Sequence, residues 1–546
     1  MKLTIPYNSK NVLVLFFVCS LRTLGVVGQN TPSSSTRPVA TPVSLPPAYP
    51  NSMINYIRIW EPSMPTTDPA AVTSSTDIGA VKQTTQYIDG LGRTIQTVNK
   101  GISPSGKDLV IPTLYDPFGR EQFKYLPYAA QTGNNTDGKF KTNPFSVQKA
   151  FYQDTILNPG INGEAIYYAQ TEFEASPLNR VLKTYVPGNS WAATGGNKPI
   201  TQAYLTNTVA DGVRVWDMPT SGNTPVSTKT YNAGELTKNV TTDERGYRVV
   251  EFLDKEGHTI LKKVELVAGA ADGHNNWLCT YYVYDDLNNL RAVIPPKAVE
   301  LIKSNWILSN TVCDELCFIY RYDGRKRMIV KKLPGADSTE MVYDVRDRLA
   351  FSRDGNLRTG TPPQWLVTFY DALNRPTMTA LYNSNATRES LQNTMNTANA
   401  NVQSISYSFP GLADLIVDKN DKTLYEASQS VTLVEGFDTG TNGEITVQIN
   451  ANASTGTTTL AVTNPLPNIP TAGLTPVSYT YYDDYTYSGA INALSADFSM
   501  PQAGANSYAE PLTATSNLTK GLVTGTRYRV LGTPNWITTS TYYTDK

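Results

Sequence analysis

The chain is 546 residues long, with Lys+Arg 46 against Asp+Glu 47 and only 17% of its residues charged. That balance excludes the strong positive field of a nucleic-acid or anionic-membrane binder, and a hydrophobic content of 40% excludes a wholly disordered chain. Tyr is abundant at 33, beside 37 Gly and 35 Pro. Tyr suits half-buried strands and Gly and Pro suit the turns between them, so the composition predicts a mainly β protein. The length allows one very large β-domain or two or three smaller ones.

Residues 1–28 read as a signal peptide. Lys2 and Lys10 make a basic start, Asn11–Cys19 is an apolar run too short to span a bilayer, and Val26-Val27-Gly28 offers a cleavage site. An uncleaved anchor is the competing reading. No later segment is apolar enough to cross a membrane, so an exported protein, secreted or at the cell surface, is expected. Residues 29–50 are rich in Ser, Thr and Pro and read as an extended linker. A folded region begins near Met53–Arg58, where strand-like alternation starts.

From there a short unit recurs. A strand end, usually aromatic, is followed by an Asp, two variable residues, a turn residue and often an Arg. The copies are Asp89, Gly92 and Arg93; Asp116, Gly119 and Arg120; Asp243 and Gly246; Asp254 and Gly257; Asp285 and Asn288; Asp323, Lys326 and Arg327; Asp344, Asp347 and Arg348; and Asp371, Asn374 and Arg375. Three places after the Asp stands Gly, Asn or Asp in seven of the eight copies, and these residues tolerate positive φ. The Asp can accept from backbone N–H groups ahead of it and start a type I turn, and a left-handed residue then closes the turn. Each copy therefore predicts a β-hairpin tip, with Tyr on the incoming strand and Arg on the outgoing one. A Tyr–Arg or Asp–Arg contact is expected across each hairpin.

Two helices are expected as insertions. One starts at Pro296 and runs through Lys297–Trp306; the other covers Thr387–Ala398, capped by Asn385 or Thr387. The units fall within 51–385. Residues 386–546 read as a second β-rich region, a sandwich-like insertion with strands at Ser428–Glu435, Glu444–Asn450 and Thr457–Thr463. The last residues, Thr541–Lys546, look like the first half of another unit, so a piece of a longer protein is expected.

The units resemble the YD repeats of bacterial RHS proteins. The phrases Tyr87–Gln96, Leu114–Tyr128, Glu174–Arg180, Tyr320–Gly335 and Met341–Leu349 resemble the uncharacterised domain that precedes the RHS-repeat core in large exported bacterial proteins. The resemblance implies a fold of antiparallel hairpins forming part of a β-shell, of the kind that encloses a carboxy-terminal toxin. His258 and Asn289 depart from it, standing where the family has Arg.

Little else suggests chemistry. Three cysteines remain beyond the signal peptide, too few for a disulfide framework. Cys313 and Cys317, with Cys279 and His274 upstream, lack standard zinc spacing; buried or oxidised thiols are the competing reading, a local Cys313–Cys317 disulfide among them. Only two histidines exist, which argues against most zinc enzymes and Ser–His hydrolases. Asp285-Asp286 and Asp483-Asp484 could serve as glycosidase carboxylates, but Asp285 already has a turn role. Tyr479–Tyr487 could stack sugars or simply cover strand faces.

The expectation is a non-catalytic structural segment with no catalytic residue, metal or cofactor. Its expected partners are its own downstream RHS core or toxin segment, or a surface glycan or protein, and not nucleic acid. A carbohydrate-binding surface module is the alternative, and a polysaccharide-acting enzyme a more distant one.

Overall fold

The computed structural model of the protein describes residues 37–543 apart from 52, 65, 67, 220–223, 398–402, 418–419, 421, 441–442, 463–472 and 492–517. The signal peptide, the first residues of the linker and the last three residues of the chain lie outside the described residues.

Strand after strand shows the period-two alternation that lets one face meet a core while the other meets solvent. In Trp277–Tyr284 the buried residues are Trp277, Cys279, Tyr281 and Val283; in Gln364–Tyr370 they are Trp365, Val367 and Phe369. Among the described residues, twenty-three strands, from Asn55–Pro62 to Trp536–Ser540, form one sheet. Its pairings are antiparallel, and most strands pair with their successor in the chain: Val81–Ile88 with Thr94–Asn99, Thr339–Tyr343 with Leu349–Arg353, and Gln364–Tyr370 with Pro376–Asn383. The fold is a long meander. The two outermost strands, Asn55–Pro62 and Trp536–Ser540, each pair on one side only among the described residues.

One excursion, residues 126–167, joins the directly paired strands Phe123–Tyr125 and Tyr168–Phe173, and its helix Pro144–Gln153 places Phe145 in a core with Tyr125. Three later excursions also leave the meander and cover its apolar face. The hairpin Arg214–Asp217/Val226–Thr230 sits between Ile200–Thr206 and Thr237–Thr242, which pair directly with each other. The helices Pro296–Ile302 and Asn310–Leu316 bridge Leu290–Ile294 and Phe318–Tyr322. These two excursions close one core around Trp216, Phe252, Tyr281, Ile294, Val299 and Cys313. The third, residues 384–473, joins Pro376–Asn383 to Leu474–Tyr482, again directly paired. Its helix, Arg388–Thr397, and Phe409 complete a second core with Trp365, Phe369 and Tyr479.

The expected helices are present but trimmed. The first ends at Ile302, and Trp306 lies beyond it with φ 58°. The second starts at Arg388, and the Thr387 hydroxyl accepts from the Ser390 N–H. The late β region is divided. Leu474–Tyr482, Val523–Arg529 and Trp536–Ser540 belong to the main sheet, whereas Gln403–Pro410 and Ser454–Val462 make a separate antiparallel ribbon. Beyond that ribbon, Asp414–Val417 pairs with Ser430–Leu433 and Leu424–Ala427 with Thr446–Ile449, both in parallel. Among its described residues this segment forms a ribbon and parallel pairs rather than the expected sandwich of antiparallel strands.

The described part of the linker has no regular element, yet it does not hang free. Ala40, Val43 and Tyr49 pack against the cores near Tyr125 and Phe140. The Arg37 guanidinium lies 3.4 Å from Glu164, and the Tyr49 N–H donates to the Thr142 carbonyl. Apolar residues among the Ser, Thr and Pro give this stretch something to bury, which composition alone concealed.

Candidate functional site

Each of the eight sequence units sits at a hairpin turn. At each, the Asp N–H donates to the carbonyl four residues on, and the N–H three places on donates back to the Asp carbonyl, as in Asp89/Arg93, Asp116/Arg120 and Asp344/Arg348. The residue three places after the Asp is left-handed in all eight: Gly92, Gly119, Gly246, Gly257, Asn288, Lys326, Asp347 and Asn374 have φ between 61° and 90°. Lys326, the one residue that the residue-type argument did not cover, adopts the same geometry at φ 61°. This is a type I turn closed by a left-handed residue, and the ladder slips by one residue just before the Asp, as at Val342/Tyr343 and Phe369/Tyr370.

The Asp carboxylate holds the turn. At Asp89, Asp116, Asp323, Asp344 and Asp371, one oxygen accepts from the N–H groups two and four residues on, and the other accepts from the Nε of the Arg. Backbone and side-chain bonds from Arg93 hold the Asp89 carboxyl below its ordinary value.

The aromatic contact differs from the expected one. The Arg does not stack on the Tyr of its own hairpin but reaches the next tip. Arg93 lies over Tyr115 at 4.5 Å, Arg327 over Tyr343 at 4.8 Å, Arg348 over Tyr370 at 4.7 Å and Arg375 over Tyr482 at 4.3 Å. Arg120 covers Phe173 in the same way, at 4.7 Å. The hydroxyl of the covered Tyr then donates back to the carbonyl just after the Arg of the previous tip: Tyr115 to Thr94, Tyr343 to Met328, Tyr370 to Leu349 and Tyr482 to Pro376. The left-handed residue of the next tip takes the remaining guanidinium nitrogen. Arg327 donates to Asp347 Oδ1 at 2.7 Å and Arg348 to Asn374 Oδ1 at 3.0 Å.

These contacts run along one edge of the sheet. Strands alternate in direction, so successive turns fall on opposite edges. Asp89, Asp116, Asp254, Asp285, Asp323, Asp344 and Asp371 share one edge, whereas Asp243 lies on the other. The Asp243 copy has Tyr247 in the Arg place and Thr242 before the Asp, so it has the turn without the clip.

The two departures from Arg keep part of the clip. His258 places Nδ1 3.0 Å from Asp254 Oδ2 and tilts its ring over Tyr284 at 4.6 Å. Asn289 donates to Asp285, and Arg291, two residues further, lies 3.4 Å from the same carboxylate.

Two members of the ladder were missed as units. Glu174 takes the Asp role across a loop two residues longer, accepting from Arg180 Nε at 2.9 Å and Ser176 Oγ at 2.7 Å, with Asn179 left-handed. Arg180 and Ser176 pull the Glu174 carboxyl down to about 2. Asp483 accepts both Arg375 Nη1 and Nη2 and the Gly521 N–H, which hold its carboxyl far below the usual range. The dipeptides Asn179-Arg180 and Tyr482-Asp483 were the available signals. With Asp483 bound in this way and Asp285 in its turn, neither of the paired-carboxylate candidates leaves two unengaged acids together.

The thiols Cys279, Cys313 and Cys317 are free and buried, and no group of three or more metal-ligating side chains occurs among the described residues.

Residues 58–206 match the domain of unknown function DUF6443. The match takes in the tips at Asp89, Asp116 and Glu174 and ends with the strand Ile200–Thr206. No curated protein matches the chain in sequence. Among solved structures, the chain is similar to TcdB2-TccC3-TEV, at 15% identity and a TM-score of 0.35 over 56% of this chain. It is similar also to the Photorhabdus luminescens Tc holotoxin pore with the TccC3-D651A mutation, at 15% identity, a TM-score of 0.33 and the same coverage. The chain spans about 13% of the length of each of those chains.

Proposed function

We propose that this chain is a structural wall segment, without a catalytic role, of an exported RHS-type protein, and that its tip ladder exists to stiffen that wall. The observation that carries this reading is the clip itself. Arg93, Arg120, Arg327, Arg348 and Arg375 each engage the tip that follows, so the most specific polar contacts of the chain join hairpins to each other rather than line a cleft.

Two further features support it. A sheet strand with one unpaired side is a template for another strand, and among the described residues both outermost strands have such a side. Ile57, Ile59 and Ile537 are exposed on them. The same edge that carries the clip also presents Leu91, Phe118, Leu178, Leu287 and Leu373 to solvent, one at each of five tips. Such a row suits a surface that is covered in the complete protein. Its partner in this reading is further β-structure, from the same polypeptide or a neighbour, with a toxin or effector segment inside. Export rests on the basic and apolar start of the sequence.

Amide exchange, measured on the protein from its native producer and on the 546-residue chain alone, tests the reading. Amides of Asn55–Pro62 and Trp536–Ser540 should exchange quickly in the isolated chain and be protected in the native form. Equally fast exchange in both overturns the wall assignment.

A further inference from the structure

Six cations are buried among the described residues: Lys141, Lys238, Lys263, Arg353, Arg388 and Arg527. Four of them face a carboxylate. Lys141 has Asp108 at 2.7 Å, Lys238 has Asp211 at 2.7 Å, Arg353 has Glu340 at 2.6 Å and Arg388 has Glu389 at 3.0 Å. Lys263 has no such partner among the described residues, but burial lowers its ammonium to about 8, so it can shed its proton. An arginine has no such escape, because the guanidinium stays charged in proteins. Arg527 is therefore the one buried cation among the described residues with neither a counter-charge nor a route to neutrality.

Arg527 stands in the strand Val523–Arg529, opposite Tyr479 on one side and Thr538 on the other, and is 2% exposed. Its guanidinium lies over the Phe409 ring at 3.9 Å, and Nη2 donates to the Ser488 carbonyl at 2.6 Å. Nε and Nη1 are buried without a hydrogen-bond partner among the described residues. The aromatic face attracts the cation from above, but it leaves the N–H groups in the guanidinium plane unmet. Water could meet those donors and still leave the buried charge unmatched, which is the costly part. The titratable groups facing it are Tyr479, Tyr481 and Tyr487, with no second cation among them. One negative charge therefore suffices, and the planar edge of a guanidinium is complementary to a carboxylate. Ser488 also lines an open groove between the main sheet and the ribbon, so the guanidinium lies one residue behind solvent.

We infer that Arg527 is the base of a binding site for a small carboxylate, of formate or acetate size, which accepts from the unmet N–H groups and supplies the missing charge. The bound anion ties the strand Val523–Arg529 to the loop at Ser488 beneath the ribbon residue Phe409. Arg527, Ser488 and Phe409 stand outside the tip ladder, and the inference does not rest on the wall reading.

The test is equilibrium dialysis of the full 546-residue chain against radiolabelled formate in Hepes buffer near neutral pH, with thermal unfolding at the same formate concentrations. Saturable uptake of one formate per chain is expected, with a melting temperature that rises as formate is added. Both should be lost in Arg527→Met, which keeps an apolar stem and removes the charge. If that variant does not fold, Thr538→Glu takes its place. It sets a carboxylate on the strand directly opposite, about 5 Å away between Cβ atoms, and should melt above the parent and take up no formate. No saturable uptake by the parent, uptake that persists in the deciding variant, or uptake that equimolar chloride abolishes overturns the inference. Fast amide exchange of the outermost strands in the native protein would remove the wall reading and leave this site standing.

Discussion

Arg348 makes three kinds of contact at once. Its Nε donates to the buried Asp344 carboxylate at 2.7 Å, its plane covers Tyr370, and its Nη1 reaches Asn374. Asp344 is 1% exposed, so it depends on that cation. Arg348→Met keeps the bulk but leaves the carboxylate buried without its partner, and should cost about 3–5 kcal/mol in denaturant unfolding. Arg180→Met, at an exposed tip, should cost much less in the same measurement, because water can replace the lost partner. A second residue sets the acid limit. His274 is half-buried against Tyr281 and Trp306, with Nε2 2.8 Å from the Tyr281 hydroxyl. That hydroxyl accepts from the Arg214 N–H and so has its hydrogen left for a neutral imidazole. Burial, then Lys263, Arg214 and Lys303, lower the imidazole from 6.5 to about 4, against the opposite pull of Asp211. Between those values the unfolded chain binds a proton that the folded chain does not. Stability should therefore fall as pH drops from 6.5 toward 4, by about 3 kcal/mol. The Glu265 carboxyl, held down to about 2 by Arg248, adds a further loss below pH 4.5. Denaturant titrations at pH 7, 5.5 and 4.5, repeated on His274→Phe, check this: the variant should lose the slope above pH 4.5.

A hairpin tip is the working unit at the next scale, and its two edges of the sheet are not equivalent. Gly119 has φ 81°, and a Cβ there would stand 3.0 Å from Arg93 Nη1, the guanidinium reaching in from the previous tip. Gly246, on the opposite edge, has φ 90° and open space around it. A β-branched residue pays the left-handed strain at both, about 1–2 kcal/mol. Gly119→Val should also displace Arg93 from Tyr115 and so cost more than Gly246→Val. Thermal unfolding of the pair measures the difference; equal losses would mean that the clip adds nothing to the turn.

For the whole molecule, the meander and its excursions are separable in topology. Strands on either side of each large excursion pair directly, so the sheet does not need the excursion to set its register. Pro410 pairs with Ser454 at the foot of the ribbon, and the parallel pairs lie beyond that point. Replacing 411–453 with a two-residue turn should therefore leave the main sheet's melting temperature within a few degrees of the parent. Removing the helix Arg388–Thr397 should not be tolerated in the same way. Leu391 and Met395 sit in the second core, and Gln392 bonds both the N–H and the carbonyl of Tyr343.

The local turn was legible from sequence because its physics is local. An Asp that caps nearby N–H groups and a residue that accepts positive φ act within five positions, and Asp89-Gly92, Asp285-Asn288 and Asp371-Asn374 announce them directly. Period-two alternation likewise announced the strands, since each strand has one buried face. The pairing of Arg93 with Tyr115, or Arg375 with Tyr482 and Asp483, was decided only in three dimensions. Those partners are brought together by strand order and by the alternation of edges, neither of which is written in any one unit. The same holds for Asp243, whose Asp and Gly match those of its relatives yet lie on the far edge, and for Arg388–Thr397, whose buried face has meaning only once the sheet beneath it has formed.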